Sequence, residues 1–167
     1  PVDNAASRGS RRVDNQKELE SAVKVALSLS RSYTAIVEEY VSGYEQSVET
    51  IIHNGTHYHI GMADREFGYH PYHIETAHVD PSQLSSEQQS EIFKVVDAAA
   101  KSLGINFGPA KADMIWTKNG PMILEMTARL SGGFHSQYTT PLSSGQDPIS
   151  AVIELCLGKQ LNQNYIK

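Results

Sequence analysis

Asp113 and Glu125 are the residues from which chemistry would start. They flank Asn119-Gly120 in the stretch ADMIWTKNGPMILE, and Asn-Gly is a favoured two-residue hairpin turn because both positions accept φ > 0. A hairpin folded about that turn sets the two carboxylates nearly opposite each other on paired strands. Like charges so placed repel unless a cation lies between them, and hard Mg²⁺ with oxygen donors is the usual resolution. Arg129 and Gly132-Gly133 follow, a guanidinium for an anionic group and a backbone that lets a ligand approach closely. Taken on spacing alone, an ordinary edge hairpin with solvated acids accommodates the same residues.

Other candidates are weaker. Ser7-Arg8-Gly9-Ser10 could present N–H groups and hydroxyls to an anion, or belong to a frayed terminus. Glu38 and Glu39 end an apolar segment just before Ser42-Gly43, at a crossover between segments of different character, where clefts form. His53, His57, His59, His70, His73 and His78 crowd one region, but their spacings match no zinc pattern. His57 and His59 do share a strand face. Arg65, His73 and Glu75 lie in a segment, Asp64–His78, that reads equally as a substrate-facing strand or an irregular loop.

The elements that must position these groups follow from periodicity. Asn15 and Glu18 form a capping pair ahead of a helix expected from Gln16 to Arg31. YTAIVEEYV reads as a strand, and EQSVETIIH alternates as a second one, opened by Glu45. Asn54-Gly55 closes a hairpin into THYHIGMA. Ser85 or Ser86 caps a helix carrying Ile92, Val95, Val96, Ala99 and Leu103, which Gly104 ends. FHSQYTTPLSSG reads as a polar loop with His135 or Ser136 facing a ligand. Asp147-Pro148 starts a short buried helix, and the tail KQLNQNYIK is expected at the surface.

Composition narrows the partners. A chain of 167 residues, 40% hydrophobic and 20% charged, builds a real core but is short for two full domains. A net charge of −5 argues against nucleic-acid and acidic-membrane surfaces, which need clustered Lys and Arg. Cys156 stands alone, expected as a buried thiol in a reducing cytoplasm. No apolar run reaches the roughly 18 residues of a membrane span. Pro1 is not a natural initiator, so a fragment or processed piece is expected.

Taken in order, IVEEYVSGYEQSVE, the helix before LGINFGPAKADM, and GPMILEMTARLSGG resemble the ATP-grasp carboxylate–amine ligases over nearly the whole chain. The resemblance implies an α+β fold, with residues 1–41 as part of the lid subdomain and 42–167 as the carboxy-terminal half of the nucleotide-binding core. It implies ATP and Mg²⁺, with Mn²⁺ as a substitute, small-molecule carboxylate and amine substrates, and an acyl phosphate between them; a homodimer is allowed for. Residue by residue, it assigns Glu38, Glu39 and Val41 to the hinge that reads adenine and Glu45 to the ribose. Asp113 and Glu125 would bind the metal, Arg129 would steady the transferred phosphate or the carboxylate, and Ser7, Gly9 and Ser10 would belong to the lid loop. Where the family carries asparagine two residues after the second acid, this chain has Thr127, the expected third metal ligand. The family's phosphate-binding lysines and amino-terminal domain would stand upstream of Pro1. The competing expectation, favoured by Thr127 and an arginine-rich lid, is a non-catalytic nucleotide-binding or regulatory module.

Overall fold

The computed structural model describes every residue except 163 and 167, and the fold is α+β. The chain forms two compact units, Pro1–Val41 with Glu66–Ala77, and Ser42–Arg65 with His78–Lys167. The first unit thus takes in residues 66–77 besides 1–41. Asp64–His78 is neither one strand nor a loop, because β2 (Thr56–Gly68) runs into it and β3 (Ile74–Val79) leaves it.

In the first unit, α1 (Gln16–Leu29) starts where expected, with the Asn15 side chain accepting from Glu18 N at 3.0 Å. It stops before Arg31 because Ser30 is already extended. Residues 33–41 form no strand. Tyr33 takes a left-handed φ of +54°, and Ile36 and Val37 lie 62% and 63% exposed, so no layer covers the segment within its unit.

The second unit is organised by β1 (Tyr44–His53), the centre of a sheet ordered β3-β2-β1-β4-β5 with β4 at Gly108–Thr117 and β5 at Gly120–Thr127. β1 pairs antiparallel with β2 and β4, and β4 with β5. The Asn54-Gly55 turn forms as expected, joining His53 to Thr56. Helix α2 (Ser86–Ser102) begins at a full capping box between Ser85 and Gln88. Its Ile92 and Val96 pack on Val48, Met62, Ala112 and Met114, which covers one sheet face with aliphatic side chains. Helix α4 (Pro148–Cys156), capped by Asp147, packs Ala151 and Leu155 on Ile51 and Ile60. Strand neighbours point to opposite faces, so Ile51 and Val48 lie on different sides and α4 covers one end of the other face.

Three expectations fail here. FHSQYTTPLSSG is helical, as a π-helical turn (His135–Thr139) leading into α3 (Thr140–Ser144). Cys156 is exposed at the end of α4, because the apolar stripe of that helix runs through Ala151 and Leu155. Leu161 and Ile166 of the tail are buried against α4; positions 163 and 167 lie outside the described residues.

His57 and His59 face α2, their Nδ1 and Nε2 atoms 2.7 and 3.2 Å from Asp97 Oδ1. His59 also stacks on Phe93 with centroids 4.0 Å apart. Burial, opposed by Asp97 and assisted by His57, holds the His59 imidazole below its ordinary 6.5. The unfolded chain then binds the proton first on acidification, so this contribution to stability is present above 6.5 and declines as pH falls below it. Melting curves should show wild type losing more stability than His59→Gln between about pH 7 and about pH 5.5. Equal losses would remove His59 as the source.

Candidate functional site

One residue of slack in β5 decides where Glu125 points. From the turn inward, Thr117 pairs with Gly120 and Met114 with Ile123, but the register then shifts and Asp113 pairs with Glu125. Leu124 is the extra residue of this β-bulge, a device that re-aims a side chain. Without it Leu124 would face Asp113, and Glu125 would move to the opposite face. The turn itself is Lys118-Asn119, one residue earlier than the sequence suggested. Gly120 takes the positive φ, at +103°, as the first residue of β5.

The face that results is charged. Antiparallel pairing aligns Arg65 on β2, Glu45 on β1 and Ile115 on β4 in one row, and Ala63, Ser47, Asp113 and Glu125 in the next. A third row carries Gly61, Glu49, Lys111 and Thr127. Arg65 Nη1 lies 3.1 Å from Asp113 Oδ1 and 3.4 Å from Glu45 Oε2. Lys111 Nζ lies 2.5 Å from Asp113 Oδ1 and 4.0 Å from Glu125 Oε1. The side chains of Arg65, Glu45, Lys111 and Asp113 are only 8–13% exposed, whereas that of Glu125 is 60% exposed. The carboxylates of Glu45, Glu49, Asp113 and Glu125 thus share this face with two side-chain cations, and all of these groups but Glu125 are nearly dry. Buried charges require such pairing.

Glu49 anchors the segment beyond β5. Its Oε1 accepts from Ser131 N at 2.8 Å and from Ser136 Oγ, and its Oε2 accepts from Thr140 Oγ1 at 3.1 Å. A carboxylate 3% exposed therefore has three donors and pins both ends of the turn that carries Gly132-Gly133. Ser136, expected to face a ligand, is spent on Glu49. His135 is buried, with Nδ1 3.0 Å from Thr139 Oγ1. Beside it a cavity of about 300 Å³ is lined by His78, Asp80, Thr139, Leu142 and Ser143. Burial pushes the Asp80 carboxyl up, but hydrogen bonds involving His135, Ser143 and Thr139 outweigh it and leave it below its ordinary value. Arg129 is exposed, and its Nη1 donates to Leu130 O at 3.1 Å.

In the first unit, Ser7 Oγ donates to His73 O at 2.7 Å and Ser10 N donates to Ser7 O at 3.1 Å. Gly9 has φ +81°, and a Cβ there would come 2.9 Å from Pro1 Cδ, so the loop admits no side chain at that position. His73 stacks on Phe67, centroids 3.8 Å apart. Glu38 and Glu39 are exposed and Val41 half-buried, while Arg12 sits 4.4 Å over the ring of neighbouring Tyr40.

Of the residues expected at the site, Glu45, Asp113, Glu125 and Thr127 share one sheet face. Among the described residues no three His, Cys, Asp or Glu side chains are grouped to hold a metal. Sequence reasoning missed Lys111 and Glu49. Lys111 was legible, lying two residues before Asp113 on the same strand face; Glu49 was not, since its partners are 82 to 91 residues away.

A family model described as an ATP-grasp domain matches residues 1–137. An uncharacterized protein of Sinorhizobium fredii is 28% identical over 166 residues, which is 97% of this chain and 34% of that protein. The crystal structure of an L-amino acid ligase from Bacillus licheniformis is 30% identical with a TM-score of 0.78, over 93% of this chain and 38% of that one. A biotin carboxylase from Campylobacter jejuni, in complex with β,γ-ATP by its description, is 25% identical with a TM-score of 0.80, over 98% and 37% of the two chains. The chain therefore spans little more than a third of these relatives.

Proposed function

The chain belongs to the ATP-grasp family, and on that premise we propose that it forms the nucleotide- and metal-binding part of an ATP- and Mg²⁺-dependent carboxylate–amine ligase. The observation that carries this reading is the bulge-set juxtaposition of Asp113 and Glu125. The donor set fits a hard divalent cation: two carboxylates face each other across paired strands, and a side-chain ammonium already lies against both. Asp113, Glu125 and Thr127 would hold Mg²⁺, with Mn²⁺ as a substitute. Bound there, the ion supplies charge neutralisation to the polyphosphate.

Residues of this chain do the rest. Glu45 would take the ribose hydroxyls, and Glu38, Glu39 and Val41 would read adenine through their backbone in a lid-and-hinge segment, residues 1–41. Ser7, Gly9 and Ser10 would close over the phosphates. Arg129, exposed and with its Nη1 on Leu130 O, would steady the anion being transferred. A substrate carboxylate oxygen would attack the γ-phosphorus as the bond to ADP breaks; an amine would then attack the acyl carbon, losing a proton as phosphate leaves. Positioning and electrostatics suffice, with no side-chain nucleophile. No described helix is long and apolar enough to cross a membrane, and we place the activity in a reducing cytoplasm.

Glu125→Ala tests the reading. Calorimetric titration should show Mg²⁺–ATP affinity falling at least about tenfold, with little change in ATP affinity without metal. Unchanged Mg²⁺–ATP affinity would count against it. A second reading, a nucleotide-binding module without catalysis, is favoured by Thr127 and by the lysine held against the acid pair. Mg²⁺-dependent ATP consumption across amino acids, bicarbonate and ammonia separates the two: ATP bound but never consumed selects the module.

A further inference from the structure

We propose that Lys111 is a built-in counter-cation of the acid pair, and that it makes binding of a divalent cation there conditional on an accompanying polyphosphate. The inference rests on the reading of Asp113 and Glu125 as metal ligands. Lys111 precedes Asp113 by two residues on β4, so both project from one face, and it pairs across the ladder with Thr127. Its ammonium touches Asp113 Oδ1 at 2.5 Å and approaches Glu125 Oε1 to 4.0 Å, on a side chain 11% exposed. Among the described residues its ion pairs are with these two carboxylates.

A dication and an ammonium cannot share that place, so the ammonium must leave when metal enters. Among the described residues, the neighbouring carboxylates are already engaged. Glu49, its neighbour across the β1–β4 ladder, already accepts from Ser131, Ser136 and Thr140. Glu45 is engaged by Arg65. A displaced, nearly buried ammonium without a partner is costly, and Arg65, held against Asp113 and Glu45, stays to oppose a bare dication. A polyphosphate arriving with the metal changes both terms. It brings the negative charge that the freed ammonium needs, and the flexible four-carbon stem lets Lys111 turn to it. Metal and nucleotide are then coupled through one side chain, and the coupling is reciprocal.

Mn²⁺ binding, followed by the electron paramagnetic resonance signal of the free ion, tests this with and without ADP. Wild type should bind Mn²⁺ at least about tenfold more tightly with ADP than without it. Lys111→Met, of similar length without the charge, should bind bare Mn²⁺ at least about tenfold more tightly than wild type and lose most of the ADP dependence. Lys111→Arg should keep wild-type behaviour. If Lys111→Met binds bare Mn²⁺ no more tightly than wild type, while wild type binds Mn²⁺ with ADP, the role of Lys111 is overturned and the metal reading stands. If no protein binds Mn²⁺ in either condition, the metal reading fails and takes this inference with it. Arg65 still pairs Asp113 in Lys111→Met, which favours folding, checked by circular dichroism. Should the variant not fold, wild type alone decides, since equal Mn²⁺ affinity with and without ADP overturns the coupling.

Discussion

Glu49→Ala lowers the unfolding free energy by about 3–5 kcal/mol, because it leaves the Ser131 amide and the Ser136 and Thr140 hydroxyls buried without their acceptor. The hydroxyls can rotate toward carbonyls, as Ser136 Oγ already does toward Ser131 O at 3.2 Å, but the amide cannot. Glu49→Gln keeps an acceptor for the amide and presents an NH₂ to Thr140, whose oxygen can accept in turn, so it costs about 1–2 kcal/mol. Urea unfolding measures both. If Glu49→Ala and Glu49→Gln unfold at the same urea concentration as wild type, the carboxylate does not hold the Ser131–Thr140 segment. Because that segment carries Gly132-Gly133 next to Arg129, the alanine variant should also weaken nucleotide binding at temperatures where it remains folded.

How far the sequence carried depends on how local the cause is. Asn15, Ser85 and Asp147 fixed three helix starts because a cap acts within three residues of itself. Asn54-Gly55 gave its hairpin for the same reason. The second hairpin was one residue off: Asn119-Gly120 looks the same on paper, yet the chain turns at Lys118-Asn119 and uses Gly120 to start β5. A turn at Asn119-Gly120 would have paired Asp113 with Met126, and the turn at Lys118-Asn119 without a bulge would pair it with Leu124; the bulge at Leu124 is what sets Glu125 opposite, and a bulge has no strong sequence signature in a stretch as evenly apolar as Met122-Ile123-Leu124. What failed was non-local. Residues 33–41 have strand composition but no strand to pair with. His135–Ser144 looks polar enough for a loop, yet its polar atoms are consumed by Glu49 and Asp80 from distant parts of the chain, which lets it coil into helix. Burial of Leu161 and Ile166 likewise depends on where α4 lies, not on the polar residues around them.

The opposite behaviour of the two facing acids follows from their exposure. Asp113→Ala removes the shared partner of Lys111 and Arg65, each less than 15% exposed, and should cost about 3–4 kcal/mol, as breaking a buried pair does. Glu125, with a side chain 60% exposed and 4.0 Å from Lys111, contributes at most about 1 kcal/mol. Glu125→Ala should therefore unfold close to wild type, while both substitutions weaken Mg²⁺–ATP binding at least about tenfold. Arg65 keeps Glu45 at 3.4 Å after Asp113 is lost, so the stranded charge is chiefly Lys111. Adding Lys111→Met to Asp113→Ala should recover about 1–2 kcal/mol, against a loss when Lys111→Met is made alone. Urea titrations of the four proteins in this cycle give the coupling directly. Additive effects would mean that Lys111 is not held by Asp113, and the charged face would have to be assigned a different internal balance.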